Sequence, residues 1–556
     1  RGFTTFTQSR VQFCHSGGAS LIQRFTIDAS RNSSIISNRT PVGAAATGTV
    51  TLTGGTSGSI ANVKVGGVTV TSGSVPFVAD LNTTATNLAA NITAHTSSPN
   101  YNAAAVGTVI TISAAIIGNL PNGQPLTVAV VTTMTATTTD MTGGHDALEV
   151  SNDNKWMFQY EFDSSENGNL ILAHVAPNGS CLCNNVGGQI FFASVTGTEK
   201  FEEVIVPTGI NVSGGIVALH PYLFYYGSAG VIGWSVPGNP LDLSGAGSGI
   251  ARVWGQKIVK GMPLRAGAGS APAGIFWAYD AVIRASFTGG TSVFQFDVIA
   301  SDTSIMSADS VVDYDGVFFW AGVDRFLMFN GVVREVPNAM NLNWFFDNLN
   351  ENQRSKVFAY KVTRYGEIWW AYPRGDATEC THAIIYNVRE NIWYDTVLPS
   401  SGRSAGEFNN AFAAPLLTSA ITTDSGYQIW IHEQGVDQID GTQISPIQSF
   451  FETGDLSAIT QGRDSRLRLT LIEPDFVQSG PMSVQVTGRA NARAPDVYSQ
   501  QFVFPETANS QAEQIVMMKE MRRELRVRFE SNAIGGDYQM GQIIGHIDSG
   551  DGTRLG

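Results

Sequence analysis

The chain has 556 residues, of which only 14% are charged and 59 are glycine, and its formal net charge is −14. That length accommodates two to four domains, and the glycine-rich, charge-poor balance points away from a helical enzyme and toward an all-β protein of many tight turns. The acidic balance argues against nucleic-acid binding as the main task, because phosphate recognition calls for basic patches.

Residues 1–40 read as a β segment that joins the body across an insert. The insert, 41–145, is compositionally distinct: up to residue 139 its only charged side chains are Lys64 and Asp80, amid Thr, Ala, Val and Gly. Gly66-Gly67 divides two alternating runs in VKVGGVTV, the signal of a two-residue hairpin. Leu81, Ala85, Leu88, Ala89 and Ile92 fall at helical spacing behind Asp80, a helix-capping residue type. Strand-like runs follow in GTVITIS and PLTVAVVTTMTATTT. The expectation is a small α+β module, ββ-α-ββ in outline, whose uncharged surface is either poorly soluble alone or packed on neighbours.

Residues 146–441 carry a repeat. Short aromatic strands recur in NKWMFQYEF, HPYLFYYG, AGIFWAYD, DGVFFWAG, YGEIWWAYP and SGYQIWIHE, most followed by a second strand ending in a Gly or Asn turn. With Trp156, Tyr222, Phe276, Phe318, Ile368 and Gln428 as markers, the intervals are 66, 54, 42, 50 and 60 residues. Such a period of strand-turn-strand units predicts a β-propeller-like body of about six blades, its aromatics packing within and between blades. In GVFFWAGVDRFLMFNG (316–331) this assigns Phe318, Phe319, Trp320, Phe326 and Phe329 to packing, although Asp324 and Arg325 beside them suggest a pocket at first sight. One amphipathic helix is expected over 341–357, and 243–250 and 266–274 read as long loops. From 442 to 556, runs such as RLRLTLIEPDF and RELRVRFES alternate polar with apolar, so a C-terminal β-sandwich-like, platform-like domain is expected, with Leu525, Val527 and Phe529 inward and Arg526 and Arg528 outward.

Candidate chemistry is sparse. Cys14, Cys181, Cys183 and Cys380 are too few and scattered for a disulfide framework and fit a reducing cytosol; Cys181-Leu182-Cys183 lacks a second pair or a nearby His at zinc spacing. His15, His95, His145, His174, His220, His382, His432 and His546 form no metal-binding spacing. Asp313 and Asp315 would share a strand face as a glycosidase pair does, but Asp315-Gly316 is itself a turn signal. SNDNKW (151–156) has only a loose likeness to a sialidase aspartate box. Lys519, Arg522, Arg523, Arg526 and Arg528 alternate with Glu520, Glu524 and Glu530, as in a salt-bridged β surface. Trp369, Trp370 and Trp393 could stack on sugars, yet the repeat explains them as packing. No nucleotide-binding or nucleophile-elbow motif is present. The N-terminal stretch has no signal-peptide core and no uncharged apolar run approaches 18 residues, so a soluble chain without membrane insertion is expected.

WSVPGNPLDL (234–243), SADSVVDYDGVFFWAGVDRFLMFNGVVREV (307–336), NLNWFFDNLNENQRSKVFAYKVTRYGEIWWAYP (341–373), YNVRENIWYD (386–395) and GDYQMGQIIGHIDSGDGTRLG (536–556) together resemble the tail nozzle (tail tubular protein B, tail stabilisation) proteins of short-tailed bacteriophages. GTVTLTGG and TATNLAANI in the insert are similar to Thr/Ala-rich modules of phage tail proteins. The resemblance implies a virion protein assembled in the host cytoplasm. Six copies would form a ring below the adaptor or portal, carry fibres or tailspikes, and retain and then release the genome. Viral DNA would pass through without sequence-specific binding, kept off the wall by the acidic charge. The family supplies no catalytic, cofactor-binding or metal-binding residues, so none is assigned here and the chain is expected not to be an enzyme. The alternative readings are a receptor- or glycan-binding propeller adhesin of the tail and a polysaccharide-degrading propeller enzyme.

Overall fold

The computed structural model describes residues 11–17, 21–27, 33–38, 43–118, 120–144, 154–177, 188–195, 199–264, 271–290, 292–337, 342–399, 402–409, 412–419, 428–440, 442–456, 466–491, 493–504 and 515–549. The chain is mainly β and divides into two compact units, Arg1–Glu433 and Gln434–Gly556.

Within the first unit, six antiparallel meanders follow one another as blades. The first comprises Asn154–Ser164, Gly168–Pro177, Gln189–Ser194 and Glu202–Val204, and the second Gly215–Leu219, Tyr222–Tyr226, Val231–Trp234 and Gly249–Arg252. The third runs Ile258–Pro263, Ala273–Ala278, Ala281–Phe287 and Phe294–Ser301, and the fourth Val312–Tyr314, Val317–Ala321, Phe326–Phe329 and Val333–Glu335. The fifth comprises Phe358–Val362, Glu367–Tyr372, His382–Asn387 and Ile392–Val397; the sixth has three described strands, Arg403–Asn409, Ala414–Ser419 and Ile429–Ile431. A separate three-stranded sheet, Val11–Gly17, Leu21–Ile27 and Ser33–Asn38, precedes them.

Both faces of a blade's second strand are buried, because successive side chains point to opposite faces and each face meets a neighbouring blade. Phe318 and Trp320 pack against the third blade with Ile275 and Trp277, whereas Phe319 and Ala321 pack against the fifth with Ile368 and Trp370. In IWWA, Trp370 faces the fourth blade and Trp369 the sixth. Doubled aromatics are therefore the signature of a strand clamped from both sides. The inner strands turn on Asp315-Gly316 (φ 52° and 84°), and the Asp313 carboxylate accepts the Gly316 N–H at 2.8 Å, so this acidic pair builds a turn.

Two expectations are corrected. Trp156 lies on the first strand of its blade and Gln428 just before the third strand of its own, not on second strands like the other markers. Second strands begin at Gly168, Tyr222, Ala273, Val317, Glu367 and Ala414, intervals of 54, 51, 44, 50 and 47 residues, more even than the aromatic markers suggest. The expected helix over 341–357 is two short pieces, an α turn at Leu342–Phe346 and a 3-10 segment at Glu351–Lys356. Asn350 restarts the chain by accepting the Asn352 N–H and donating to the Ala377 carbonyl, while Leu349 and Phe345 enter the fourth–fifth blade core.

The insert contains the helix Leu81–Ala94, capped by Asp80, whose carboxylate accepts the Thr83 N–H at 2.7 Å. Its buried face is Thr84, Ala85, Leu88, Ala89 and Ile92. Gly66-Gly67 makes the expected hairpin (φ 58° and 85°). The outline is richer than ββ-α-ββ: PLTVAVVTTMTATTT breaks at Thr132 (φ 67°) into Leu126–Thr132 and Thr135–Thr142. The first of these pairs with Gly58–Val65 and the second with Thr47–Gly54, in two different sheets sharing one core.

The second unit is a sandwich. Ser449–Glu452, Glu524–Ser531, Met482–Arg489, Val497–Tyr498 and Phe502–Phe504 form one sheet, and Val516–Arg522, Leu467–Ser479 and Asp537–Ser549 the other. Leu525, Val527 and Phe529 are buried between them, as the alternation predicts. Arg526 and Arg528 lie on the opposite face and meet Glu452, Asp496 and Glu530.

Candidate functional site

Most sequence-selected residues prove to be structural. Asp324 and Arg325 pair with each other at 3.0 Å on an exposed turn. Trp370 is fully buried and donates to the Ser310 carbonyl at 2.9 Å; Trp393 stacks on it at 5.9 Å and donates to the Pro337 carbonyl at 2.8 Å. His174 is buried against the Val212 carbonyl, His220 meets the Asp163 carbonyl, His95 ends the insert helix and His546 pairs with Glu473. Cys380 is a buried free thiol whose Sγ donates to the Lys356 carbonyl at 3.2 Å. Cys181, Cys183 and His145 lie outside the described residues, as does the start of SNDNKW. Among the described residues no group of three metal-ligating side chains occurs, and no helix is long and apolar enough to cross a membrane.

A different constellation forms where the fifth blade meets the sixth. Glu367, first residue of IWWA's strand, is buried, and both its oxygens are held: Tyr394 donates from one side, and Trp369 Nε1 from the other at 2.9 Å. Glu433, which ends the last strand's IWIHE, sits in the left-handed region at φ 57°. Its side chain is exposed, yet the protein crowding its carboxyl, reinforced by Glu367, raises that group to about 7. Arg403 is 1% exposed. Its Nε donates to His432 Nε2 at 2.9 Å, and one terminal nitrogen donates to the Pro399 and Gly402 carbonyls. Its guanidinium lies 5.1 Å from the centre of the Trp430 ring. No carboxylate among the described residues reaches ion-pair distance of it, and burial lowers its pKa to about 10. Burial and Arg403 push His432 down to about 3, so this imidazole is neutral and accepts at Nε2.

Chemically, this is a pair of carboxyl groups in unequal environments: Glu367 fixed by two donors, Glu433 open and able to hold a proton near neutrality. The sequence search for paired acids found only Asp313 and Asp315, because it looked within one strand. Glu367 and Glu433 both lie inside aromatic marker strings, but 66 residues separate them and only the blade-to-blade closure brings them together.

No family model and no curated protein matches the chain. Among solved structures, a glycoside hydrolase family 43 arabinoxylan arabinofuranohydrolase from Bacillus subtilis, in complex with cellotetraose, aligns over 70% of this chain and 96% of its own, at 11% identity and a TM-score of 0.18. That match corrects the expectation that the chain is not an enzyme: the aligned protein is a glycoside hydrolase, and a missing catalytic motif does not set such chemistry aside. At this identity and TM-score the likeness assigns neither activity nor substrate to this chain.

Proposed function

We propose that the chain is a structural virion protein of a short-tailed phage, a subunit of a tail nozzle ring that continues the DNA channel below the adaptor or portal and anchors fibres or tailspikes. The observation that carries this reading is the use made of the segments bearing the resemblance. Residues 307–336 and 341–373 supply the third–fourth and fourth–fifth blade seams, where Trp320, Phe326 and Trp370 are spent on packing. A wall subunit needs such stiffness. Exposed apolar side chains add support: Val106 and Leu120 in the insert are 82% and 87% exposed, and Val477 and Met517 in the sandwich 70% and 80%, surface that a neighbouring copy would cover. Negative-stain images of the purified chain, alone and with its adaptor ring, test the reading; a six-fold ring is expected, and a persistent monomer or trimer in both preparations contradicts it.

One observation favours a second reading, a glycan-engaging propeller: the Glu367–Glu433 carboxyl pair beside Arg403 and Trp430. The two readings differ in assembly and need not share a site.

A further inference from the structure

In the C-terminal sandwich, Leu525, Val527 and Phe529 of one sheet and Leu469, Ile472 and Phe476 of the other fill the core. The intervening residues of each sheet therefore point outward, on opposite sides of the unit. A sheet face that meets only water has no use for large apolar side chains. Both outward faces carry them.

In the sheet that contains Glu524–Ser531 and Met482–Arg489, Phe450 lies opposite Glu530, Tyr498 opposite Thr487 and Val503 opposite Ser483, all on the outward side. Phe450, Tyr498 and Val503 are each more than half exposed. The arginines among them are already neutralised. Arg526 pairs with Glu452 at 3.0 Å and with Asp496 at 2.9 Å, and Arg528 pairs with Glu530 at 3.0 Å. The Arg528 guanidinium lies 3.8 Å from the centre of the Phe450 ring. This face presents rings and planar guanidiniums whose charge is balanced in place, so covering it strands no lone charge.

The other sheet turns thioethers and aliphatic groups outward. Met517 lies opposite Leu471, Met521 opposite Arg468, Ile544 opposite Glu473 and Val477 opposite Gln539. Met517 and Val477 are more exposed than the three residues of the first face, and Met521 and Ile544 are exposed as well. Methionine moulds itself to a facing surface, and its sulfur is attracted to aromatic rings.

The two faces are thus complementary in chemistry and stand back to back. A two-fold contact joins like faces, ring on ring or thioether on thioether, and leaves the other face bare. A second copy of the same sandwich covers both when its methionine face lies on the aromatic–arginine face of the first, as sheets pack about 10 Å apart. The methionine face draws on strands of 7, 13 and 13 residues. With roughly half of those residues outward, it approaches the ~20 that each partner brings to a stable interface.

We propose that the sandwich is the contact between neighbouring copies, the face bearing Phe450, Tyr498 and Val503 packing head to tail on the face bearing Met517, Met521 and Val477 of the next. This rests on the ring reading and names the surface that such a ring uses.

Complementation tests it. Phe450→Glu and Val503→Glu spoil one face and Met517→Glu the other, all at exposed positions where the thermal midpoint should stay close to that of the wild type. If Phe450→Glu lowers the midpoint, Val503→Glu takes its place. In sedimentation velocity of the full chain over a concentration series, the wild type should associate beyond a dimer. Each variant alone should associate at least about tenfold more weakly. An equimolar mixture of Phe450→Glu and Met517→Glu should form a dimer and nothing larger, because each supplies the face that the other lacks and the dimer ends on two spoiled faces. A mixture that stays monomeric, or a single variant that assembles like the wild type, overturns the head-to-tail contact. A wild-type ring matched by equal rings from all three variants keeps the ring reading and removes this surface. A wild type that is monomeric alone also removes this surface, and one that stays monomeric with its adaptor ring removes the ring reading with it.

Discussion

Two neighbouring seams of the propeller use aromatic residues in opposite ways. Between the fourth and fifth blades, Phe326 touches the rings of Phe345, Trp370 and Trp393 at centroid distances of 5.2, 4.9 and 4.8 Å, and the two indoles donate to backbone carbonyls. The fifth–sixth seam has a comparable stack, Phe358 on Tyr360 on Trp369, but mixes it with Glu367, Arg403 and His432 and leaves polar tips without partners. Aromatic density alone does not separate scaffold from site. What separates them is the company of the rings: the Tyr372 hydroxyl of the fourth–fifth seam is unbonded too, but only the fifth–sixth seam sets unbonded ring tips beside a buried carboxylate and a buried guanidinium.

The largest expected effect lies in the seam between the third and fourth blades. Trp320 is fully buried, packs against Trp277 at 5.7 Å and donates to the Ser304 carbonyl at 2.9 Å. Trp320→Ala should cost about 3–5 kcal/mol of stability in denaturant unfolding. A stable variant impaired only in ligand binding would move this seam from scaffold to site.

A second prediction concerns pH and belongs to the other seam. The folded chain holds the Glu433 proton longer than the unfolded chain does, since the carboxyl moves from 4.5 to about 7. Its contribution to stability therefore falls as pH rises through that interval. His432 moves from 6.5 to about 3, so the folded chain sheds that proton earlier. Its contribution is complete above 6.5 and is lost as pH falls toward 3. The two slopes oppose each other between 4.5 and 6.5. Unfolding midpoints measured from pH 3 to 8 should show Glu433→Gln flattening the decline above 6.5 and His432→Gln flattening the acid limb; unchanged limbs would contradict the placement of these groups.

The smallest effect sharpens the same contrast. Tyr360→Phe removes a buried hydroxyl that has no partner, so it should leave stability unchanged or raise it by about 1 kcal/mol. A clear loss in the unfolding midpoint would mean that the hydroxyl is bonded within the fold and belongs to the scaffold.

Much of the fold was legible because it is local. The Asp315-Gly316 and Gly66-Gly67 turns, the Asp80 cap and the alternation of Leu525, Val527 and Phe529 each follow from a few adjacent residues. The blade repeat was visible through FFW and IWW, since a strand buried on both faces must carry apolar groups at consecutive positions. It slipped at Trp156 and Gln428, where aromatic content and strand rank within the blade do not coincide. The single helix over 341–357 failed because apolar spacing carries no mark of Asn350, whose side chain bonds the backbone of its own turn and a distant carbonyl. The seam site was illegible for a different reason. Arg403, His432 and Glu433 are unremarkable in sequence, and their shifted pKa values arise from burial where the blades meet, with Arg403 acting on His432 and Glu367 on Glu433.

The central claim, a ring subunit built from a stiff propeller, is tested most directly by cryo-electron microscopy of the intact particle with this chain located in the map. The account predicts six copies arranged around the axial DNA channel, with the insert and the sandwich in contact with neighbouring protein. Copies confined to peripheral spikes, away from the channel, would contradict it.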